Sequence, residues 1–392
     1  MYIVHVGSPY FPEGNAAVQR IRITYRALIE PGFSTLIINK ESYRTNVNLK
    51  RANRFEGIPY VYTSTSLTRP RYWVAFRLNR ISGIFGELKV LFKRRKKIGA
   101  IILYNTSSFS ELIYYRLVSK FMGFKLVFQY VEYRSSFKAA SPGRRINNYF
   151  FDNFSYYFTD GVIVISEFLR NEITKRNSKL PLIKVPAICN FEEFAAIDAI
   201  KASNSYLLYC GTSYYLPVII IFIELYEKIP EKKLYNGYLK LIIGANNPQS
   251  LDVVKDIINK SNYKENIILP NGIPYNELIA YYKSADLLLI PLRNTLQDLA
   301  RFPHKISEYT ASKRPLISTN IGELNYYFEN NVSAILADEY TIDSYIESLV
   351  NILPNKDLLD QIGNRGYEVG VNNFHYQANV NGLKVFFEQL FK

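Results

Sequence analysis

A lysine and a glutamate three positions apart, Lys305 and Glu308, stand in the segment RFPHKISEYTASKRPLISTNIGEL, residues 301–324. Three apart on a helix, two side chains project from the same face. An ammonium neutralises phosphate as a point charge, and a carboxylate accepts two hydrogen bonds from a vicinal diol. A diphosphate and a ribose are the groups this pair suits. Arg301 adds a cation just upstream, and the apolar run from Pro315 leads into a turn at Gly322 followed by Glu323. The plain alternative is a surface i, i+3 ion pair, common and weakly stabilising. Taken alone the pair fits that alternative better; Arg301, Pro303 and the strand–glycine turn move the balance toward a ligand site.

Two further segments carry chemistry. In the first loop, GSPYFPEGNAAVQRI, Gly14 and Asn15 precede a helical pattern whose first N–H groups could receive an anion. There is no GxGxxG, Glu13 would repel phosphate, and an ordinary strand-to-helix turn fits the loop equally well. Residues 68–97, TRPRYWVAFRLNRISGIFGELKVLFKRRKK, interleave cations with large apolar residues and hold Trp73, the single tryptophan. That mixture suits a helix pressed on anionic lipid. It also fits a solvated basic face around buried aromatics, and charge runs usually are that. Nucleic acid is not expected as a partner, since no recognition motif accompanies the charge.

The elements that must position these groups follow from length and pattern. At 392 residues, 48% hydrophobic, the chain supports two or three cores rather than disorder. Two cysteines, Cys189 and Cys210, exclude a disulfide framework and lack zinc spacing. His5, His304 and His375 are too scattered to suggest a metal cluster, and a reducing compartment fits. The opening MYIVHVGSPYFPEG reads as a buried strand rather than a signal peptide, and no run approaches the roughly 20 apolar residues of a membrane span. The expected location is cytoplasmic, with a peripheral place on the inner membrane face. Of the net charge of +14, residues 1–200 hold 30 Lys/Arg against 14 Asp/Glu, and residues 201–392 hold 18 against 20. The first half therefore faces a polyanion: nucleic acid, anionic lipid or a phosphorylated substrate.

Short, near-continuous apolar runs alternate with helical patterns. YIVHV, STLIIN, GAIILYN, FKLVFQY and GVIVIS form one series; YLLYC, LKLIIG, NIILP, DLLLIP and PLIST form a second. Continuous apolarity means burial on both faces, hence parallel strands covered by helices. The fold expected is α/β, with two doubly wound parallel-sheet domains facing across a cleft. Residues 1–190 make the first domain, which is basic, and 204–372 the second. Residues 373–392 make a terminal helix able to cross back to the first domain.

The pattern FPxKxxEYxAxxxPxIxTNxGE resembles the donor-binding segment of GT-B glycosyltransferases, in particular glycosyltransferase family 4. DGVIVISEFLRNEI, IKVPAICNFEEF, YLLYCGTSYY and IILPNGIPYNELIAYYKSADLLLIPL resemble other passages of that family in the same order, over most of the chain. The resemblance implies that Glu308 holds the ribose, that Lys305 lies near the diphosphate, and that Thr212 and Ser213 meet the phosphates. It also implies that Gly272 borders the base pocket and that Gly322 and Glu323 close the site. The sequence departs from the family in four places. The first glutamate of its pair falls on Ala300, with Asp298 and Arg301 as candidate substitutes. Tyr214 to Pro217 stand where a basic residue is usual, Lys313 replaces a glycine, and the N-terminal glycine pair is reduced to Gly14.

The function expected from this resemblance is transfer of a sugar from a nucleotide diphospho-sugar, with retention and without a cofactor or metal, to a lipid-linked glycan in surface polysaccharide synthesis. Lys305 and Arg301 would stabilise the leaving diphosphate, with backbone groups at Gly14 to Ala16 assisting, and residues 68–97 would meet the anionic membrane. A non-hydrolysing sugar-nucleotide epimerase and a catalytically decayed binding protein on the same frame remain the alternatives.

Overall fold

The computed structural model describes the whole chain except residues 8–9, 13–15, 44–49, 105–107, 138–140, 201–203, 245–247 and 271. Gly14 and Asn15 therefore lie outside the described residues. The chain divides into two units. The first holds Met1–Cys189, Ala300–Phe302 and Tyr376–Lys392, and the second holds Asn190–Leu299 and Pro303–His375.

In the first unit the apolar runs become β1 (Tyr2–Val6), β2 (Ser34–Asn39), β3 (Ala52–Phe55), β4 (Ile58–Tyr62), β5 (Ile98–Tyr104), β6 (Lys125–Tyr130), β7 (Gly161–Val164) and β8 (Leu182–Lys184). Among the described residues they form one sheet in the order β3-β4-β2-β1-β5-β6-β7-β8. Every pairing is parallel except β3 with β4. That pair is a hairpin whose turn residues, Glu56 and Gly57, both have positive φ (48° and 80°), as a tight two-residue hairpin turn requires. The sequence reading missed β3, whose ANRF is polar and exposed, together with the short β4 and β8.

Among the helices of this unit are α1 (Ala16–Ile29), α2 (Trp73–Arg94), α3 (Phe109–Met122) and α4 (Pro142–Phe154). One sheet face buries Val4, Val6, Ile101 and Leu103 against Leu91 of α2 and Leu112, Tyr115 and Val118 of α3. The other buries Ile3, Ile37 and Ile102 against Ile21, Tyr25 and Leu28 of α1. The chain's last helix, Tyr376–Phe391, packs on this second face through Leu383, Phe386, Phe387 and Leu390. Each such side chain contributes roughly 1.5–3 kcal/mol on burial. The helix approaches closely at two glycines: a Cβ on Gly99 would meet the Phe391 ring at 2.7 Å, and one on Gly161 the Phe386 ring at 2.9 Å.

The second unit carries β9 (Tyr206–Thr212), β10 (Tyr238–Gly244), β11 (Ile267–Ile268), β12 (Leu287–Leu289), β13 (Leu316–Thr319) and β14 (Ile335–Ala337). Their order among the described residues is β11-β10-β9-β12-β13-β14, all parallel. The chain runs outward from β9 to β10 and β11, then returns to place β12 on β9's other side. This is a topological switch point, where the loops after β9 and β12 part and a crevice opens at the strands' carboxyl ends. Both units are Rossmann-like parallel-sheet domains. The α/β class and the two parallel-sheet domains expected from the sequence are present, and the antiparallel edge hairpin is an addition to them.

Candidate functional site

The second unit's switch point gathers most of the residues singled out in the sequence. β9 runs out at Thr212, which is exposed, and Ser213, which is buried with its hydroxyl 2.7 Å from that of Ser250. Lys305 and Glu308 lie on α5 (Tyr275–Ser284)'s partner helix, α6 (His304–Ala311). Pro303 precedes α6 in extended conformation, so the helix starts without a side-chain cap. Its far end turns at Lys313, whose φ of +57° is the left-handed geometry that a glycine adopts most easily. Lys313 stands where the resemblance leads one to expect a glycine, and its ammonium sits 4.4 Å from the Tyr367 ring centroid.

Glu308 is 6% exposed. The Tyr275 hydroxyl donates to its Oε1 at 3.1 Å and the Tyr282 hydroxyl to its Oε2 at 3.4 Å, while His304 Nε2 stands 3.7 Å from Oε1. Burial raises the Glu308 pKa, and the Lys305 charge and the two phenols pull it back down. The same lysine charge opposes the burial that raises the Cys210 thiol. Lys305 thus acts on the end of β9 and on Glu308 together. It is half-buried, and among the described residues it makes no ion pair or hydrogen bond. The Tyr309 hydroxyl accepts from the Cys210 backbone N–H at 3.4 Å, which ties α6 to β9.

Gly272 has φ +68° in the loop after β11, and nothing lies within 4 Å of where its Cβ would be. Two residues on, Pro274 leads into α5, whose first residue is the Tyr275 that holds Glu308. Gly322 has φ +60°, a Cβ there would lie 3.5 Å from the backbone of Asp298 and Leu299, and Glu323 is buried after it. Arg301 falls with the first unit and Lys305 with the second, so the two cations assigned one role belong to different units.

Asp298, weighed as a substitute for the missing glutamate, does not serve. It is fully buried and its Oδ2 accepts from Arg293 Nε at 2.8 Å and from the Arg293 backbone N–H at 2.9 Å. Ala300 is also buried, its carbonyl accepting from the Ser166 hydroxyl at 2.6 Å. Sequence reasoning missed Tyr275 and Tyr282. Their signal was present: seven residues apart on one helix, they share a face. It also missed Arg293 after β12, whose guanidinium carbon lies 5.9 Å from the Tyr215 ring centroid and so brings a cation to the loop that lacks its own. Among the described residues no group of three or more His, Cys, Asp or Glu is placed to hold a metal ion.

In the first unit α2 is inside out. Its buried positions are Asn79, Gly83, Glu87 and Leu91. Its exposed stripe is Val74, Leu78, Ile81, Phe85 and Phe92, at alternating spacings of three and four around a half-buried Leu88. Trp73 is 76% exposed and Phe85 67%. Of the two readings of this segment, the solvated basic face around buried aromatics does not match these exposures. Close packing fixes this orientation: a Cβ on Gly83 would sit 1.8 Å from the Lys40 carbonyl oxygen, and one on Gly86 2.6 Å from that of Thr63. Among the described residues no helix is long and apolar enough to cross a membrane.

Residues 190–369 match the family described as Glycosyl transferases group 1. A curated relative, the uncharacterized glycosyltransferase MJ1178 of Methanocaldococcus jannaschii, is 23% identical over 196 residues, 43% of this chain and 54% of that protein. The match thus spans about half of the relative's length. Among solved structures, sucrose-phosphate synthase from Thermosynechococcus elongatus superposes with a TM-score of 0.73 at 15% identity, covering 100% of this chain and 98% of that one. A glycosyltransferase from Rickettsia africae gives 0.71 at 14%, with the same coverage. Anabaena HepE in complex with UDP gives 0.68 at 12%, covering 99% of each chain. These likenesses establish the GT-B fold, and the stretch that matches the glycosyl transferases group 1 family, residues 190–369, is a little under half of the chain.

Proposed function

We propose that the protein moves a sugar from a nucleotide diphospho-sugar to an acceptor, in the manner of glycosyltransferase family 4. The observation that carries this reading is Lys305, an ammonium without an ion-pair partner among the described residues, beside the tyrosine-held carboxylate of Glu308 at a switch point. Glu308 takes the ribose hydroxyls and Lys305 the diphosphate. Thr212 offers its exposed hydroxyl to the phosphates, Ser213 its backbone, and Gly272 leaves room for the base. The HepE structures solved with UDP and with UDP-glucose support a nucleoside diphosphate as leaving group.

In the step proposed, the bond between the anomeric carbon and the β-phosphate oxygen breaks, and a bond from that carbon to the acceptor oxygen forms on the same face. The acceptor's proton passes to the departing phosphate oxygen, so configuration is retained and no side-chain base is needed. Charge accumulates on the diphosphate, and fixed cations aimed at it supply the largest share of such catalysis. Lys305 and Arg301 are assigned that work in place of a metal. With alanine at position 300 and Asp298 committed to Arg293, the choice of sugar rests on other groups.

The acceptor proposed is a lipid-linked glycan of surface polysaccharide synthesis at the inner membrane face. The exposed apolar stripe of α2, with Arg77, Lys89 and Lys93 beside it, supports that placement. A thermal-shift screen of UDP-, GDP- and dTDP-sugars, with and without EDTA, tests the donor half. One family of nucleotides should raise the melting temperature, and chelation should leave the shift intact. A chain indifferent to all of them is not a transferase of this kind.

A further inference from the structure

A groove crosses the amino-terminal ends of the first unit's strands, the opposite edge of that sheet from the one where such domains bind substrates. It consists of two adjoining hollows of about 410 and 800 Å³ that share Tyr2, Leu36, Arg54, Pro59 and Arg94 as walls. Four cations line it: Arg54 from β3, and Lys93, Arg94 and Lys97 from the end of α2 and the turn after it. None of the four makes an ion pair among the described residues, and no carboxylate is among the described lining residues. Arg54 only donates to the Gly57 carbonyl at 3.3 Å, and Arg94 only leans toward the Tyr2 ring at 5.8 Å. The acid of the adjacent hairpin turn, Glu56, is held elsewhere by Arg22 at 2.6 Å.

Four like charges brought together from a strand, a helix end and the turn after it repel one another and attract a polyanion. The walls between them are apolar, with Leu36, Pro59, Val61 and Val90. A bare ion would leave those walls wet, whereas a ligand with a phosphate joined to an apolar body satisfies both. The exposed stripe of α2 ends at Phe92, within the same last turns of the helix that supply Val90, Lys93 and Arg94 to the groove.

We propose that this groove seats the headgroup of an anionic phospholipid, with the phosphate among Arg54, Lys93, Arg94 and Lys97 and the glycerol end against the apolar wall. The proposal rests on the membrane reading of α2 and adds to it a defined lipid site, apart from the sugar-transfer site. Its use is orientation: a lipid held at this edge fixes how the first unit lies on the membrane.

The test titrates the full chain with dihexanoyl phosphatidylglycerol below its micelle concentration, beside dihexanoyl phosphatidylcholine and inorganic phosphate, followed by calorimetry. Phosphatidylglycerol should bind the wild type. Arg54→Ala/Lys97→Ala should weaken it about thirtyfold. Lys260→Ala/Lys264→Ala, an equal loss of charge from exposed residues of the second unit, should change it by less than about twofold. Equal binding of phosphate or phosphatidylcholine, or an unaffected groove variant, overturns the seat. Flotation with phosphatidylglycerol vesicles separates the two readings. A wild type that floats while its groove ignores short-chain lipid loses only the seat, and one that floats with no vesicle loses the seat and the membrane contact together.

Discussion

The Tyr275 hydroxyl donates to Glu308 at 3.1 Å, from the first turn of one helix to the second turn of another. The bond holds a buried carboxylate in place and favours its charged form against the burial that disfavours it. Tyr275→Phe removes that support. The folded-state pKa of Glu308, already above its ordinary value, then rises further. The ionised form is the one that accepts two ribose hydroxyls, so nucleotide affinity should fall more at pH 6 than at pH 8. Stability should drop by about 1 kcal/mol, the usual worth of one such bond. Calorimetric titrations at the two pH values check this; the same ratio of variant to wild-type affinity at both would separate the phenol from the carboxylate's titration.

Trp73 is a built-in reporter for the membrane face. It is the single tryptophan, mostly exposed, at the start of α2. With phosphatidylglycerol vesicles at low salt its emission should shift to the blue and be quenched by brominated lipid. Phe85→Ser, which removes one apolar side chain from the stripe, should lower partitioning by a factor of about ten. Emission unchanged by vesicles would remove α2 from the membrane.

Glu87 gives the fold a pH signature. It is fully buried under α2 and accepts from the Tyr115 hydroxyl at 3.0 and 3.1 Å, with Lys40 and Glu111 as its charged neighbours. Burial pushes its pKa up from 4.5 to about 7, against the pull of Lys40 and of the Tyr115 bond and with Glu111 adding to the rise. A raised folded-state pKa means that the folded chain holds the proton longer than the unfolded one. The stability this confers is present in full below pH 4.5 and lost as pH climbs through about 7. The total is on the order of 3 kcal/mol. Denaturant melts of wild type and Glu87→Gln from pH 4.5 to 8 should therefore diverge, the wild type losing ground as pH rises. Parallel profiles would show that Glu87 titrates normally.

Much of this was legible in the residues. The ten apolar runs read as strands all became strands because burial on both faces writes itself as unbroken Val, Ile and Leu. β3 escaped because it is an exposed edge, stabilised by a hairpin turn rather than by its own side chains. β14, three residues long, offered too little pattern to find. At the site, Lys305 and Glu308 announced themselves by spacing, but the tyrosines that hold Glu308 lie some thirty residues upstream, a distance only the fold closes. Asp298 looked available in sequence and is spent on Arg293. α2 shows the converse: its composition was plain, but only packing at Gly83 and Gly86 decides that the glycines and Glu87 face inward and the aromatics outward.

Whether Glu308 and Lys305 hold a nucleotide is decided most directly by one measurement. Wild type, Glu308→Gln and Glu308→Ala are titrated with UDP and with GDP by calorimetry. The wild type should bind one of the two, and both variants should bind it at least about tenfold more weakly, as expected when hydrogen bonds to a charged acceptor are lost. Glu308→Gln keeps an acceptor for Tyr275 and so reports on the ribose rather than on folding. Equal affinities across the three proteins, or a wild type that binds neither nucleotide, would contradict the assignment.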